Sequence, residues 1–145
     1  VNDSAETMRL LVKRLSYVNV NPYYVFVHDM VRGVEELRTS LQTAIDLEKQ
    51  LRGTTAGYNT PTFVVDTMGG GGKRHVHSYE AYDRRTGIAV FSSPFVRPGE
   101  FFLHYDPLHQ LDSQIGEDWL HAGKRAAMIE GAMANVHSDR FGNGV

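Results

Sequence analysis

Apolar and polar positions at the start of the chain predict a helix followed by a strand. Residues 8–15 carry apolar side chains at a spacing that suits one buried helix face, and Ser4 is placed to cap that helix. The run VNVNPYYVFVH, residues 18–28, is rich in β-branched and aromatic residues. Such a composition predicts a strand.

The pattern then repeats with a second helix and a second strand. Either Thr39 or Ser40 is placed to cap a helix with an apolar face, and Gly53 follows at the position where glycine commonly ends a helix. Residues 62–65 form a short run that is apolar on both faces, as buried parallel strands are. The first half of the chain therefore predicts the order α–β–α–β.

The second half of the chain has a different pattern of apolar and polar residues. HVHSYEAYD and IAVFSS flank the turn-like RRTG and predict an antiparallel hairpin, and GEFFLHYDP predicts a further extended segment. Residues 113–137 return to a helical pattern, and residues 138–145 are expected to fray. We divide the chain at residue 75, into residues 1–75 and an extension, residues 76–145.

Composition and charge limit the classes of protein to which this chain could belong. The 145 residues are 41% hydrophobic and 22% charged, which is typical of a globular domain. A formal net charge of -2 argues against a nucleic-acid partner. No apolar run approaches the roughly 20 residues that span a bilayer, and the N-terminus shows no signal-peptide pattern. We expect a cytoplasmic protein without a membrane partner.

The chain contains no cysteine. Disulfides, cysteine-ligated zinc and thiolate-held iron–sulfur clusters are therefore excluded within this chain.

Lys73 follows four consecutive glycines: Gly69, Gly70, Gly71 and Gly72. A nucleotide-binding P-loop is disfavoured, because Thr67 and Arg74 stand where that motif needs glycine and Ser or Thr. The run could be a mobile surface loop with a solvated lysine. It could also let a lysine amine swing toward a cofactor aldehyde and form a Schiff base.

Two aspartates end the two predicted strands. Asp29 follows YYVFVH and Asp66 follows TFVV. If the strands are neighbours, both carboxylates converge at one pocket and need a cation between them. That cation could be a substrate ammonium or guanidinium, or a metal with His28 beside Asp29. Alternatively, each aspartate caps the next turn.

Histidines offer a weaker metal hypothesis. His75 and His77 lie two residues apart on a predicted strand, so they share a face and could bind a metal with His28 or His104. Such histidines are more often surface or hydrogen-bonded residues. We therefore expect no metal site.

Three ordered segments resemble the C-terminal half of the lysine 2,3-aminomutase family over roughly residues 1–80: NPYYVFVHDMVRGVEELRTS, LRGTTAGYNTPTFVVD and GGGGK. These are radical S-adenosylmethionine enzymes that also use pyridoxal phosphate (PLP). The resemblance implies an α/β fold, the C-terminal part of a parallel-stranded partial βα-barrel. Residues 1–75 would be the barrel segment with the PLP lysine, and residues 76–145 an antiparallel β-hairpin and helical extension.

The resemblance also implies roles for single residues. Lys73 matches the catalytic lysine that holds PLP, with Gly69–Gly72 as part of the cofactor site. Asp29 and Asp66 match the acids that bind the side-chain ammonium of the substrate. Two acids favour a cationic amino acid, lysine first, with arginine or ornithine behind and glutamate less expected.

The implied reaction moves the α-amino group of that substrate to the β-carbon through a PLP imine and a radical from S-adenosylmethionine. The family's CxxxCxxC motif is absent, so S-adenosylmethionine and the 4Fe-4S cluster are expected in the complete enzyme but not on cysteines of this chain. Expected partners are the remaining N-terminal part of the enzyme and further copies in a homo-oligomer. The alternative is a non-catalytic domain of the same descent, for amino-acid or anion binding or for oligomerisation.

Overall fold

The computed structural model describes residues 2–141 along the backbone and residues 2–136 with their side chains. Within that part, two three-stranded sheets and four α-helices form a mixed α/β fold. The helices are α1 (Ala5–Tyr17), α2 (Leu41–Leu51), α3 (Ser113–Leu120) and α4 (Ala122–Phe141); the strands are β1 (Tyr24–Val27), β2 (Thr62–Thr67), β3 (Gly72–His75), β4 (Tyr79–Asp83), β5 (Ile88–Ser93) and β6 (Arg97–Tyr105).

The first sheet contains the predicted parallel pair. Its order is β1-β2-β3, with β1 parallel to β2 and β3 antiparallel to β2. The helix between the parallel strands, α2, begins where the Ser40 side chain accepts a hydrogen bond from the Thr43 N–H. It ends just before Gly53, whose φ of +84° suits glycine. The local signals for this unit are confirmed.

The strand predicted over residues 18–28 is too long, because only Tyr24–Val27 forms β1. The backbone N–H groups of Val18 and Val20 both donate to Leu15 O, so this stretch closes the end of α1. Asn19 takes a φ of 56° in that turn. The helix end therefore uses backbone donors that a strand would need.

The second sheet is the predicted antiparallel extension, with order β4-β5-β6. The turn between β4 and β5 falls at RRTG, as predicted. The helical stretch predicted over 113–137 is two helices, α3 and α4, separated at His121. The backbone of α4 is helical through Phe141; the remainder of the tail expected to fray, residues 142–145, lies outside the described residues.

One apolar core joins the two sheets. Phe91 and Phe102 of the second sheet pack in the same buried cluster as Met8 of α1, Leu51 of α2 and Phe63 of β2. A second cluster lies between the other face of the β4-β5-β6 sheet and helices α3 and α4.

A buried polar contact ties the second sheet to the start of α2. Asp106 Oδ1 accepts a hydrogen bond from the Leu41 N–H at 2.7 Å, and Asp106 Oδ2 accepts one from the Tyr82 hydroxyl at 2.7 Å. Because Leu41 is the first residue of α2, the carboxylate satisfies a backbone donor that the helix itself leaves unpaired.

The partial barrel stays a prediction, since one parallel strand pair is common to many α/β folds. Strand β1 lies at the edge of its sheet, and the aromatic side chains of Tyr23, Tyr24 and Phe26 beside that edge are exposed. None of the helices in the described part of the chain is long and apolar enough to cross a membrane.

Candidate active site

The parallel strands place the two predicted aspartates at the same edge of the sheet. Val27 of β1 lies opposite Val65 of β2 in the register. Asp29 follows β1 by two residues, and Asp66 lies next to Val65, so both carboxylates reach the carboxyl ends of neighbouring strands. That edge is where ligands bind in open α/β sheets.

The glycine run is a hairpin turn rather than a free tether. It joins β2 to β3 so that Lys73 lies directly opposite Asp66, and Gly72 opposite Thr67. The Thr67 hydroxyl donates to Gly72 O at 2.7 Å across this turn. Gly69, Gly70 and Gly72 have positive φ values, of +97°, +97° and +75°.

The second sheet holds this turn in place. Gly71 is buried, and a Cβ at this position would lie 2.7 Å from the Phe102 ring and 2.4 Å from Thr67 Oγ1. Phe102 belongs to β6 and is itself 5% exposed. The backbone of Gly71 therefore packs so close to the Phe102 ring that there is no room for a Cβ atom at this position.

Asp29, Asp66 and Lys73 line one open cavity of about 460 Å³ together with Phe26, His28 and Val31. Lys73 Nζ lies 3.6 Å from Asp66 Oδ2 and 5.5 Å above the centre of the Phe26 ring. The side chains of Lys73 and Asp66 are 44% and 42% exposed, so both are accessible to a ligand.

The charges of this cavity are unbalanced. Two carboxylates face one ammonium group, and the described residues of the cavity wall add no lysine or arginine. One further cation would balance the pair of carboxylates. The site is thus suited to a small molecule that carries a positive group.

The part of the chain that carries Asp66 and Lys73 is similar to known proteins. Residues 48–80 match the family model described as Lysine-2,3-aminomutase. The L-lysine 2,3-aminomutase of Clostridium subterminale is 46% identical over 76 residues, which are 52% of this chain and 18% of that protein. The matched half of the chain is similar to the lysine 2,3-aminomutases.

Two further aminomutases match this chain over a similar length. The L-lysine 2,3-aminomutase of Bacillus subtilis is 41% identical over 73 residues, 50% of this chain and 16% of that protein. A protein named glutamate 2,3-aminomutase, from Clostridioides difficile, is 36% identical over 73 residues, 50% of this chain and 17% of that protein. The chain therefore spans less than a fifth of these relatives.

The histidines that the structure describes with their side chains do not gather into a metal centre. His28 lines the cavity and its Nδ1 lies 2.9 Å from Asp29 O, whereas His104 is buried on β6. His75 and His77 stack on each other with ring centres 5.3 Å apart. Among the described residues, no group of three or more His, Asp or Glu side chains is arranged to hold a metal ion.

Sequence reasoning missed three residues that shape the site. Phe26 lies under the Lys73 ammonium, Phe102 lies under the glycine turn, and Glu48 of α2 contacts the strand that carries Lys73. In β1, Phe26 alternates with residues that face the core, and such alternation can be read from a sequence. The other two contacts depend on how α2 and the second sheet pack, and no local pattern encodes them.

Proposed function

We propose that this chain is the C-terminal portion of a 2,3-aminomutase that moves the α-amino group of a cationic amino acid, L-lysine first, to the β-carbon. The observation that carries this proposal is the meeting of Asp29, Asp66 and Lys73 at one cavity. The names of the matched relatives support the reaction class, which is an isomerisation.

The residues of the cavity fit PLP held on Lys73. The Lys73 amine is accessible, stands on the β2–β3 hairpin and faces a cavity with an aromatic wall at Phe26. When bound, PLP supplies an aldehyde that accepts an amine and a ring that delocalises charge. The proposed role of Lys73 is to hold that cofactor and to recapture it after turnover.

The proposed role of the two aspartates is to orient the substrate by its side-chain cation. Asp66 forms an ion pair with Lys73, whereas Asp29 has no ion pair among the described residues. A substrate ammonium would share both carboxylates once the Lys73 charge is removed by the cofactor. An anionic side chain, as in glutamate, would meet like charges there, so this proposal ranks lysine, arginine and ornithine above glutamate.

The remaining chemistry is assigned to parts of the protein outside this chain. The 4Fe-4S cluster that would act on S-adenosylmethionine needs cysteine ligands, of which this sequence has none. The exposed aromatic edge at Tyr24 and Phe26 supports a covering by the N-terminal portion of the protein or by a second copy. A cytoplasmic location is part of the proposal and follows from the reaction class.

Trapping with PLP tests the cofactor site. The chain is mixed with PLP, the lysine–cofactor link is made permanent with borohydride, and modified peptides are located by mass spectrometry. We expect modification of Lys73 well above Lys13, Lys49 and Lys124, because Lys73 lies at a cavity with an aromatic wall. The Lys73→Arg variant should lose that selective product. Equal labelling of all four lysines in the folded complete protein would overturn the proposal.

Neutralising either aspartate should weaken binding of L-lysine to the complete protein. Asp66→Asn and Asp29→Asn each remove one charge-assisted contact, so we expect a loss of about tenfold in affinity, measured by calorimetry. Binding of L-norleucine, which lacks the side-chain ammonium, should not change. Glu130→Gln, on the exposed face of α4, is the control. If both aspartate variants bind lysine like the original protein, the acids do not form the cation site.

A further inference from the structure

Glu48 is a buried carboxylate on the apolar face of α2. It is 2% exposed and lies next to the buried Leu47 and one turn before the buried Leu51. Burying a carboxylate costs several kcal/mol unless partners satisfy it. A residue of this kind on a helix face that otherwise packs in the core therefore points to a specific set of contacts.

The contacts of Glu48 cross from α2 to the strand that carries Lys73. Its Oε1 accepts from Arg52 at 2.5 Å and lies 3.2 Å from His75 Nε2. Its Oε2 lies 3.1 Å from His77 Nε2, although this contact lacks hydrogen-bond geometry. Arg52 belongs to the same helix end, so the histidines supply the connection to β3.

The hydrogen bonds of His75 fix which of its nitrogens carries the proton. The backbone N–H of His77 points at His75 Nδ1 at 3.3 Å. Because a backbone N–H can only donate, Nδ1 must accept, and the proton of the neutral ring lies on Nε2. His75 therefore donates to Glu48, and its Nε2 has no lone pair to offer a metal.

This contact adds a link from α2 to a short strand at the edge of its sheet. Strand β3 has four residues, lies at a sheet edge and pairs only with β2 in the described part of the chain. Lys73 and His75 lie opposite Asp66 and Val64 of β2. We propose that Glu48 is a positioning residue for Lys73: by accepting from His75, it fixes β3 against α2 and keeps the Lys73 amine beside Asp66.

This inference rests on the proposed function, because it gives Glu48 a role in placing the amine that would bind the cofactor. The placement itself has a separate readout, namely the rate at which a neutral amine-acetylating reagent modifies Lys73. The exposed Lys13 of α1 serves as the internal reference. The ratio of the two rates, from peptide mass spectrometry, reports the surroundings of Lys73 without any cofactor.

Two disruptive and two matched variants separate positioning from general stability. Glu48→Leu and His75→Leu remove the acceptor and the donor; a leucine at position 48 suits the apolar helix face, so the variant should fold. Glu48→Gln keeps an acceptor oxygen for His75. Arg52→Leu removes the other partner of Glu48 and leaves the link to β3. Urea unfolding monitored by circular dichroism checks that each variant is folded.

We expect the acetylation ratio of Lys73 to Lys13 to rise about threefold in Glu48→Leu and His75→Leu, the change expected when an exposed ion pair to Asp66 is lost. It should stay at the original value in Glu48→Gln and Arg52→Leu. An unchanged ratio in both leucine variants of the Glu48–His75 pair would overturn the proposal, as would an equal rise in Arg52→Leu.

The original protein and its variants are then treated with PLP and borohydride, and the labelling of each lysine is measured. Failure of the original protein to label Lys73 selectively, with the acetylation ratios as expected, would reject the cofactor role and leave the positioning intact. The opposite result is selective PLP labelling of Lys73 in both the original protein and Glu48→Leu, with the same acetylation ratio in both. That result would retain the cofactor role of Lys73 and reject the positioning role of Glu48.

Discussion

Replacing Gly71 by alanine should destabilise the chain by about 1–3 kcal/mol and displace the hairpin that carries Lys73. The added Cβ would lie 2.4 Å from Thr67 Oγ1 and 2.7 Å from the Phe102 ring, distances that packed atoms do not tolerate. Neither neighbour can yield easily, because Thr67 is 4% exposed and Phe102 is 5% exposed. Urea unfolding measures the loss of stability, and selective PLP trapping at Lys73 should fall with it.

Other glycines provide controls for this prediction. Gly131 lies in α4 with nothing within 4 Å of an added Cβ, so Gly131→Ala should stabilise the chain by about 1 kcal/mol. Gly69 has space beside it but a φ of +97°, so Gly69→Ala tests backbone strain without the clash. Adding Phe102→Leu to Gly71→Ala should recover part of the loss. A Gly71→Ala chain as stable as the original would show that the turn moves without cost.

The sequence predicts the elements that depend on neighbouring residues. Ser4 and Ser40 cap their helices, since a side-chain oxygen three residues before a backbone donor is a local arrangement. Gly53 ends α2 for an equally local reason, its positive φ. The meeting of Asp29 and Asp66 also follows from the sequence, because the carboxyl ends of adjacent parallel strands share one edge.

The missed features depend on residues far apart in the chain. The strand predicted over residues 75–83 starts too late and misses a break: β3 is Gly72–His75 and β4 begins at Tyr79. The segment GGGGKR carries no strand pattern, and β3 pairs because the glycines turn the chain back onto β2. The ring under Gly71 comes from Phe102 on another sheet. The glycine run therefore suggested a swinging tether, whereas packing against the second sheet makes it a fixed turn.

Acid should weaken this fold as the pH falls below about 6.5. His104 is 3% exposed, and its Nε2 has no hydrogen-bond partner among the described residues. Burial, with a smaller contribution from the Arg38 cation, lowers the pKa of His104 from its usual 6.5 to about 4. The folded chain therefore keeps this ring neutral at a pH where the unfolded chain has already protonated it.

The sign of the effect follows from which state binds the proton. Above pH 6.5 both states hold neutral His104, and its contribution to stability is complete; between pH 6.5 and about 4 only the unfolded state takes up the proton, so stability falls. This difference in pKa between the two states lowers the free energy of unfolding by about 3 kcal/mol once the pH has fallen to about 4. Burial raises the pKa of Asp106 despite its hydrogen bonds, which opposes the loss in the most acidic part.

Urea unfolding at a series of pH values from 7.5 to 4.5 measures this dependence as a slope. We expect the free energy of unfolding to decrease steadily below pH 6.5 in the original chain, and the slope to flatten in His104→Gln, whatever that variant's stability at neutral pH. His109→Gln, at an exposed position only five residues away, should keep the original slope. The slope is the decisive quantity because a merely packing role for His104 would shift the whole curve without changing its shape. If His104→Gln and the original chain run parallel through this range, the buried imidazole is not the group that makes the fold sensitive to acid.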